Sequence, residues 1–298
     1  MPVRIAIVGP GRVGRVLARR FHRAGAAVLG FVGRDAGRVR GVVEELGVGH
    51  VLGWGDLERA HCVVFCVGDD QLADSVAAAA ARGGRRCSLW LHTSGRHDLD
   101  VFSPAASLGV RVGSLHPLAP FPGSLDVGPP PGALAAVQAG SRSSSLLLRL
   151  CRMLDLEPVV CGVQDRALYH AACALAANGA TALFGLVEDL LGAAGGTNEA
   201  DRRRVVQALM AVAVGTASRY GAARALSGPV RRGDHTTVTA HLERLGEAMP
   251  GSLPAYRALM VHALRLAADE GLPADAQARL GALLTPPDSS GDGREARR

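Results

Sequence analysis

The feature that most constrains the fold is a glycine-rich turn near the start of the chain. Residues 9–14 read GPGRVG, which fits the pattern GxGxxG. The turn directly follows a short β-branched run at residues 3–8, and a helical pattern over residues 12–24 begins within it. A strand, a glycine turn and a helix in this order are typical of βαβ units that bind the pyrophosphate of a dinucleotide. The sequence therefore predicts a dinucleotide-binding corner here.

The glycines of this corner have distinct expected roles. Gly9 would permit the tight turn, Gly11 would let the backbone approach the pyrophosphate, and Gly14 would let the helix pack on the strand. The free N–H groups and the positive dipole end of the helix would bind the phosphates. The predicted cofactor contacts at this corner are Gly9, Pro10, Gly11, Arg12, Val13 and Gly14.

The residue that reads the adenosine ribose lies about 20 residues beyond the glycines, at the end of the second strand. That position is Arg34, and Asp35 follows it. An arginine can bind the 2′-phosphate of NADP, whereas a carboxylate would accept a hydrogen bond from the free 2′-hydroxyl of NAD. Arg34 therefore favours NADP over NAD, and Asp35 keeps NAD open.

The first half of the chain alternates short apolar runs with helical patterns. Strands are predicted at residues 3–8, 27–32, 61–67, 87–92, 110–115, 133–138 and 158–163. Helices are predicted at residues 12–24, 36–46, 71–82 and 141–154. This alternation indicates a parallel sheet covered on both faces, and prolines place residues 123–132 in a loop.

After residue 163 the pattern contains no further strand. Long Ala- and Leu-rich helices are predicted at residues 165–191, 199–220, 236–247, 254–270 and 273–284. The fold expected is α/β: a doubly wound, mainly parallel Rossmann domain over residues 1–163, followed by an all-helical domain over 164–285. Residues 286–298 are expected to form a disordered tail.

Composition restricts the chemistry that the chain can perform. All 33 basic residues are arginine, which excludes a Schiff-base lysine, a lysine general acid and a P-loop lysine. Proton transfer near neutral pH falls to His, Asp, Glu, Cys, Tyr or water. The net charge of +6 comes from dispersed arginines, and only 4% of residues are aromatic, so we expect no binding of nucleic acid.

Six scattered cysteines form no CxxC pair, which predicts free thiols in a reducing cytoplasm and no metal site. The N-terminus lacks the pattern of a signal peptide. Residues 167–187 carry no formal charge and could span a membrane by length. They contain His170, Asn178 and Thr181, which favours a helix buried on all sides within a soluble domain. We therefore expect no membrane partner.

Ligands of such sheets bind beyond the carboxyl ends of the strands, where three polar segments are expected. The first contains Val67 and Gly68, and Gly68 could approach the nicotinamide ribose. The following Asp69 and Asp70 could instead serve only to cap the next helix.

The second segment is the quartet His92, Thr93, Ser94 and Gly95, which suits contacts with the substrate or the nicotinamide but could also be a simple turn. The third contains His116, which Pro117 restricts to extended geometry and so aims away from the strand end. His116 is either a structural residue or a catalytic one.

The helical half carries further candidates. His170 and Asn178 lie eight residues apart on one apolar helix, so they are expected to share a face. They either serve a site, with His170 as the proton donor, or form a buried pair that holds helices in register. Arg231 and Arg232 could bind an anionic substrate group, or they could pair with Asp234 or face solvent.

Five segments together carry a resemblance to a known group. These segments are GPGRVG, HTSG, SLHPL, ALYHAACALAAN and GPVRRGDHTTVTAHL. They resemble bacterial Rossmann-like proteins with a C-terminal domain of unknown function, which are described as NADP oxidoreductases. The resemblance covers about residues 3–284. It implies a fold similar to the superfamily of 6-phosphogluconate dehydrogenase, 3-hydroxyisobutyrate dehydrogenase and pyrroline-5-carboxylate reductase, in which the helical domain forms a homodimer and closes over the nicotinamide.

One departure from that superfamily bears on the reaction. The β-hydroxyacid dehydrogenases place a catalytic lysine four residues before an asparagine, and here Ala174 stands four residues before Asn178. His170, one turn further back, is the expected substitute. We therefore predict hydride transfer between nicotinamide and a carbonyl or imine carbon of a small substrate, with His170 or His116 as the proton donor and Asn178 positioning the substrate. The alternatives are an NADP-binding sensor or scaffold without turnover, a prephenate-type dehydrogenase suggested by the His-Pro turn, and a ketopantoate-type reductase.

Overall fold

The computed structural model describes residues 1–83, 87–122, 128–139 and 144–285. The tail predicted at residues 286–298, the first half of the loop predicted at 123–132 and the start of the helix predicted at 141 lie outside these ranges.

Within the described ranges, eight strands form a single sheet. In chain order they are β1 (Arg4–Val8), β2 (Ala27–Val32), β3 (His50–Val51), β4 (Cys62–Phe65), β5 (Leu89–His92), β6 (Arg111–Pro117), β7 (Ala133–Ala139) and β8 (Leu156–Val160). Their order in the sheet is β3-β2-β1-β4-β5-β6-β7-β8. Neighbours run parallel except β6 and β7, which are antiparallel. The prediction of a mainly parallel, doubly wound sheet is confirmed, and the short β3 was missed.

Helices cover both faces of this sheet. They are α1 (Arg12–Arg23), α2 (Ala36–Leu46), α3 (Asp69–Arg82) and α4 (Ser144–Met153), with 3₁₀ segments at Trp54–Arg59 and Leu99–Leu108. Alternate residues of β1 enter opposite apolar layers: Ile5 and Ile7 pack with α1, whereas Ala6 and Val8 pack towards α3. Because both faces are buried, the strands have the continuous apolar runs seen in the sequence.

Every element described after β8 is helical. These elements are α5 (Arg166–Ala174), α6 (Ala180–Ala194), α7 (Glu199–Tyr220), α8 (Ala222–Ala225), α9 (Pro229–Arg232), α10 (His235–Ala248), α11 (Leu253–Asp269) and α12 (Ala274–Leu284). By its contacts the chain divides into two compact units, Met1–Asn178 and Gly179–Arg298. The last strand ends at Val160 and α5 begins at Arg166, and by its contacts α5 belongs to the first unit. The predicted domain boundary at residue 163 stays a prediction. In the second unit, α9 to α12 surround an apolar cluster that includes Val230, Val238 and Leu280.

The helix predicted over residues 165–191 differs from expectation in two ways. A π-helical turn, Leu175–Gly179, separates α5 from α6. None of the apolar window of Arg166–Ala194 is buried, so the expectation of a helix buried on all sides is wrong for the single chain. Within the described ranges, this is the one helix that is long and apolar enough to cross a membrane, as judged by length and composition alone. Two apolar side chains at the start of this helix and in its π-turn are largely exposed, with Leu168 68% exposed and Leu175 73% exposed.

Candidate functional site

A cleft of about 370 Å³ opens at the carboxyl ends of β1, β2 and β4. The strand order reverses here, because β1 lies between β2 and β4, and ligands of doubly wound sheets bind at such a switch point. The residues that line the cleft follow these three strands or lie on α2, α3 and the first 3₁₀ segment. They are Val8, Gly9, Pro10, Gly11, Val32, Gly33, Arg34, Asp35, Arg38, Trp54, Cys66, Val67, Gly68, Gln71, Asp74 and Ser75.

The glycine turn has the close contacts that its predicted roles require. Gly9 has φ +105°, and a Cβ there would lie 2.5 Å from the carbonyl oxygen of Cys66. A Cβ on Gly14 would lie 2.2 Å from the carbonyl oxygen of Gly9, so the first turn of α1 packs directly on the glycine turn. A Cβ on Gly11 would lie 3.8 Å from the carbonyl oxygen of Cys66, which is an ordinary contact, and Gly11 lines the cleft. Gly11 is also the N-cap of α1, and no side chain caps this helix. Arg12 and Val13, the first two residues of the helix, complete the turn.

The cleft mouth is basic at the end of β2. Asp35 is the N-cap of α2, and its carboxylate accepts a hydrogen bond of 3.1 Å from the backbone N–H of Arg38. That bond engages the carboxylate that the sequence offered as a partner for a ribose hydroxyl. The exposed side chains of Arg34 and Arg38 line the same part of the cleft. Two guanidinium groups beside an engaged carboxylate favour an anionic ligand group here.

The segment after β4 forms the opposite wall. Val67 and Gly68 both line the cleft, as predicted. Gly68 is the N-cap of α3, and Asp69 and Asp70 lie in the first turn of that helix. Their negative charges interact favourably with the positive end of the helix dipole. Burial raises the pKa of the adjacent Cys66 thiol to about 12, so this thiol stays protonated and is no nucleophile.

The four residues predicted as a polar segment, His92 to Gly95, have different surroundings in the structure. The hydroxyl of Ser94 accepts hydrogen bonds of 3.1 Å from the backbone N–H groups of Arg96 and His97. The backbone N–H of Thr93 donates to the carbonyl oxygen of Phe65 over 3.1 Å. Ser94 therefore closes a tight turn, and the role of Thr93 and Ser94 as substrate contacts stays a prediction.

His92 lies beneath the surface rather than at it. It is 0% exposed and packs on Phe102, with ring centroids 5.5 Å apart. Neither ring nitrogen has a hydrogen-bond partner among the residues that the structure describes. Burial, followed by the charge of Arg166, lowers the pKa of His92 to about 4. The imidazole is therefore neutral at physiological pH, and contact with a substrate would require it to become accessible.

Gly95 lies against the ring of His116. A Cβ on Gly95 would come within 2.7 Å of Cε1 and 2.9 Å of Nε2, so only glycine leaves room for the imidazole. The other side of the ring faces α5, where Nδ1 of His116 lies 3.0 Å from the hydroxyl of Tyr169. The rings of His116 and His170 are 6.4 Å apart between centroids. The structure thus brings together three predicted site residues, Gly95, His116 and His170.

Two residues that the sequence did not single out belong to the same cluster. Tyr169 directly precedes His170 in the sequence. Arg166 is 8% exposed, its guanidinium donates to the side-chain carbonyl of Gln138, and its Cζ lies 5.8 Å from the centre of the Tyr169 ring. A lone arginine at the start of a helix gives no sequence signal of burial, because arginine is usually exposed.

Burial sets the protonation of the His116 and Tyr169 pair. Desolvation, followed by the charges of His170 and Arg166, lowers the pKa of His116 to about 4, and Asp69 opposes this shift. Desolvation raises the pKa of the Tyr169 phenol, and the side chain of Cys173 adds to that shift. At neutral pH both groups are therefore uncharged, and a single proton lies between Nδ1 and the phenolic oxygen.

Asn178 is exposed and lies within the π-helical turn, five residues beyond Cys173. An ideal α-helix advances about 100° per residue, so eight residues leave the two ends about 80° apart. A π-turn contains more residues and advances less per residue, which brings Asn178 back towards the face that carries His170. Single π-turns within α-helices are frequent at functional sites.

Arg231 and Arg232 lie in the second unit. They line a shallow depression with Leu226, Ser227 and Gly228, and Arg231 donates to the carbonyl oxygen of Glu270 over 3.2 Å. Asp234 is engaged as the N-cap of α10, where it accepts from the backbone N–H and hydroxyl of Thr237. The role of Arg231 and Arg232 in binding a substrate stays a prediction.

Two family models match the chain. Residues 2–117 match a Rossmann-like domain, and residues 133–263 match DUF2520, a domain of unknown function. The chain joins a Rossmann-like domain to a DUF2520 domain. The DUF2520 match begins at β7 of the sheet and extends into α11, so it includes the helix that carries Tyr169, His170 and Asn178. No curated protein matches the sequence.

Solved structures share this combination of sheet and helices. A proposed NADP oxidoreductase from Bacteroides fragilis superposes with a TM-score of 0.69 at 17% identity, covering 89% of this chain and 98% of its own. Pyrroline carboxylate reductase from Plasmodium falciparum, with NADP bound, gives 0.61 at 12% identity, covering 93% and 98%. A reductive aminase from Aspergillus terreus, in complex with NADPH and ethyl-5-oxohexanoate, gives 0.57 at 16% identity, covering 95% and 93%. At these identities the likeness establishes the fold alone.

Proposed function

We propose that this protein is an NADP-dependent oxidoreductase that transfers hydride between the nicotinamide and a carbonyl or imine carbon of a small, anionic substrate. The observation that carries the proposal is the cleft at the switch point. There, an uncapped helix N-terminus at Gly11 adjoins the guanidinium groups of Arg34 and Arg38. The helix end suits a pyrophosphate, and the arginines suit the 2′-phosphate that distinguishes NADP from NAD.

The residues that line the cleft suit the successive parts of the cofactor. The glycine turn would hold the pyrophosphate, and the half-buried Trp54 offers an apolar wall for the adenine beside the arginines. Val67 and Gly68 would contact the nicotinamide ribose. When bound, the cofactor supplies or accepts the hydride, and the protein contributes orientation and a proton. The NADPH complexes of the fold neighbours support this assignment by analogy.

The proton would come from the imidazole groups beside α5. A carbonyl or imine that receives a hydride needs a proton on its oxygen or nitrogen, and the chain has no lysine to provide it. His116 is neutral at pH 7, so the proton that it can donate is the single N–H proton of its neutral ring. His170, whose ring centroid lies 6.4 Å from that of His116, is the alternative proton donor. Asn178 would hold the reacting atom through its amide. Arg231 and Arg232 would bind the anionic group of the substrate.

We also propose that the protein is a cytoplasmic homodimer formed through its helices. The six cysteines are all free, which suits a reducing compartment. The exposed apolar side chains of α5 and α7 include Leu168, Leu209 and Val212, each more than 60% exposed. Exposed apolar surface of this extent is typical of an interface, and a second copy of the chain would bury it.

Calorimetry and a turnover assay test the proposed function. We expect the protein to bind NADPH more tightly than NADH, and to oxidise NADPH in the presence of at least one member of a panel of keto acids and cyclic imines, followed by absorbance of the reduced nicotinamide. Absence of binding to either nucleotide would refute the proposal. Tight binding of NADPH with no turnover across every class would instead support a cofactor-binding sensor, which Ala174 in place of a lysine favours.

A further inference from the structure

The His116 ring is fixed on two sides by groups that lie far apart in the sequence. Gly95 packs against one side so closely that a Cβ would lie 3.0 Å from Nδ1, and Tyr169 makes a hydrogen bond with that same Nδ1. The rings of His116 and Tyr169 meet edge to face, with centroids 5.8 Å apart. Among the residues that the structure describes, none hydrogen-bonds Nε2 of His116. One nitrogen is therefore engaged by α5, and Gly95, which has no side chain, lies beside the other.

We propose that Tyr169 is the positioning residue of the site: its hydroxyl donates to Nδ1 of His116, holds the proton of the neutral imidazole on Nε2, and replaces that proton when His116 gives it to the substrate. The assignment of this pair rests on the proposed function, in which His116 is the proton donor, whereas the position of the proton on His116 can be measured without a substrate.

A neutral imidazole carries one proton, and the partner of one nitrogen decides which nitrogen holds it. A phenol that donates to Nδ1 leaves the proton on Nε2. The opposite arrangement, with Nδ1–H donating to the phenolic oxygen, would leave Nε2 as a bare acceptor that could not protonate a substrate. The role of His116 as donor therefore depends on Tyr169.

The proton transfer balances without any further reagent. As hydride reaches the carbon of a carbonyl or imine, the electron pair of the double bond moves to oxygen or nitrogen. That atom takes the Nε2 proton of His116, and Nδ1 takes the phenolic proton of Tyr169. The imidazole stays neutral throughout, and the negative charge moves to the phenolate, from which water later removes it by protonation.

Opposing effects act on a negative charge at Tyr169. Desolvation and the side chain of Cys173 raise the pKa of the phenol, so the phenolate can be only transient, and one nearby cation partly offsets them. The buried guanidinium of Arg166 lies over the Tyr169 ring at 5.8 Å and favours the phenolate. Besides Tyr169, which contacts the ring, the charges that act on His116 are those of His170, Arg166 and Asp69. Two of these three oppose a positive charge on His116, so a neutral relay is favoured over an imidazolium donor.

Nitrogen NMR of the histidine side chains tests the position of the proton directly. Long-range ¹H–¹⁵N spectra distinguish protonated from bare ring nitrogens, and the spectrum of His116→Gln identifies the signals of His116. We expect Nδ1 to be bare and Nε2 protonated in the wild-type protein, with and without NADPH. In Tyr169→Phe we expect the proton to redistribute towards Nδ1. A proton on Nδ1 in the wild type, or an unchanged tautomer in Tyr169→Phe, would overturn the proposal.

A second His–Tyr pair in the chain provides a matched control. In the helical unit, Nδ1 of His241 lies 2.8 Å from the hydroxyl of Tyr256. Tyr256→Phe removes the same kind of hydrogen bond and should leave the His116 signals unchanged. Because both variants keep the aromatic ring, circular dichroism should show that both remain folded.

Kinetics test the catalytic use with any substrate that passes the turnover assay. We expect Tyr169→Phe to lower kcat by ~10²-fold with little change in KM, and Tyr256→Phe to change neither. In mixtures of H₂O and D₂O, two protons moving in one step give a curved dependence of kcat on deuterium content, which should become linear in Tyr169→Phe. Wild-type turnover with an unchanged kcat in Tyr169→Phe would refute the relay and leave the proposed function intact. Absence of NADPH binding would refute the proposed function and leave the tautomer result standing.

Discussion

The hydroxyl of Tyr169 and Nδ1 of His116 lie 3.0 Å apart, although 53 residues separate them in the sequence. Gly95 makes this contact possible, because any larger residue would occupy the space of the imidazole. Three segments that look independent in the sequence, HTSG, SLHPL and ALYH, therefore form one cluster at the ends of β5 and β6. This cluster, together with the cleft at the glycine turn, supports the experiments that follow.

The first prediction concerns the choice between NADP and NAD. Arg34→Ala and Arg38→Ala should each weaken NADPH binding about 10-fold, since each removes one charged partner of a phosphate, and should leave NADH binding nearly unchanged. Arg40→Ala provides the control, because Arg40 is an exposed residue of α2 outside the cleft lining. Calorimetry with both nucleotides measures the effect. An equal loss for NADH would mean that the arginines do not read the 2′-phosphate.

The second prediction concerns the packing of α1 on the glycine turn. Gly14→Ala places a Cβ 2.2 Å from the carbonyl oxygen of Gly9, so the turn must shift, and we expect a loss of about 1–3 kcal/mol in the free energy of unfolding together with weaker NADPH binding. Gly41→Ala, in α2, has no atom within 4 Å of the new Cβ and should instead stabilise the fold by up to about 1 kcal/mol. Urea denaturation compares the two variants. Equal stabilities would contradict the packing argument.

The third prediction concerns His170. If its imidazole contributes to proton transfer, His170→Ala should lower kcat by ~10²-fold or more and leave the affinity for NADPH nearly intact, because the residue is outside the cleft lining. Steady-state kinetics and calorimetry together make the measurement. Unchanged turnover would remove His170 from the mechanism and leave His116 as the donor.

The fourth prediction concerns acid stability. His92 has its folded pKa lowered to about 4, against about 6.5 when unfolded, so between these values the unfolded chain binds more protons than the folded one. Stability due to neutral His92 is fully present above pH 6.5 and is lost as the pH falls towards 4, by at most about 3 kcal/mol. Urea denaturation at several pH values should show this slope, and His92→Leu should make it shallower. The same slope in both proteins would show that His92 is not the group responsible.

The fifth prediction concerns self-association. Leu209→Glu places a charge on the exposed apolar side of α7 and should convert a homodimer into monomers, since a buried unpaired charge opposes the interface. Leu259→Glu, on α11, is the control: Leu259 is also an exposed leucine, at 46%. Sedimentation or light scattering gives the mass. A monomeric wild type, or dimers in both variants, would contradict the proposed interface.

Most of the fold could be predicted from the sequence because its signals are local. The bounds of β2, α2 and α7 agree with the predicted residues, since hydrophobic periodicity and caps such as Asp35 and Asn198 act within a few neighbours. The short β3 was missed because two residues carry no periodicity. The π-turn at Leu175–Gly179 was missed because the apolar pattern continues through it without interruption.

The chain alone determined the dinucleotide corner, because a tight turn and close helix packing require glycine at fixed spacing whatever the rest of the fold does. Which polar side chains meet was decided only by the tertiary structure. The register of β5 beside β6 pairs His92 with Ser114, and His92 is buried there. Three residues after His92, Gly95 lies against the ring of His116. Burial then sets the charge of each imidazole, and α5 brings a phenol to one of them. Such contacts depend on the order of strands and the placement of a distant helix, which local sequence patterns do not contain.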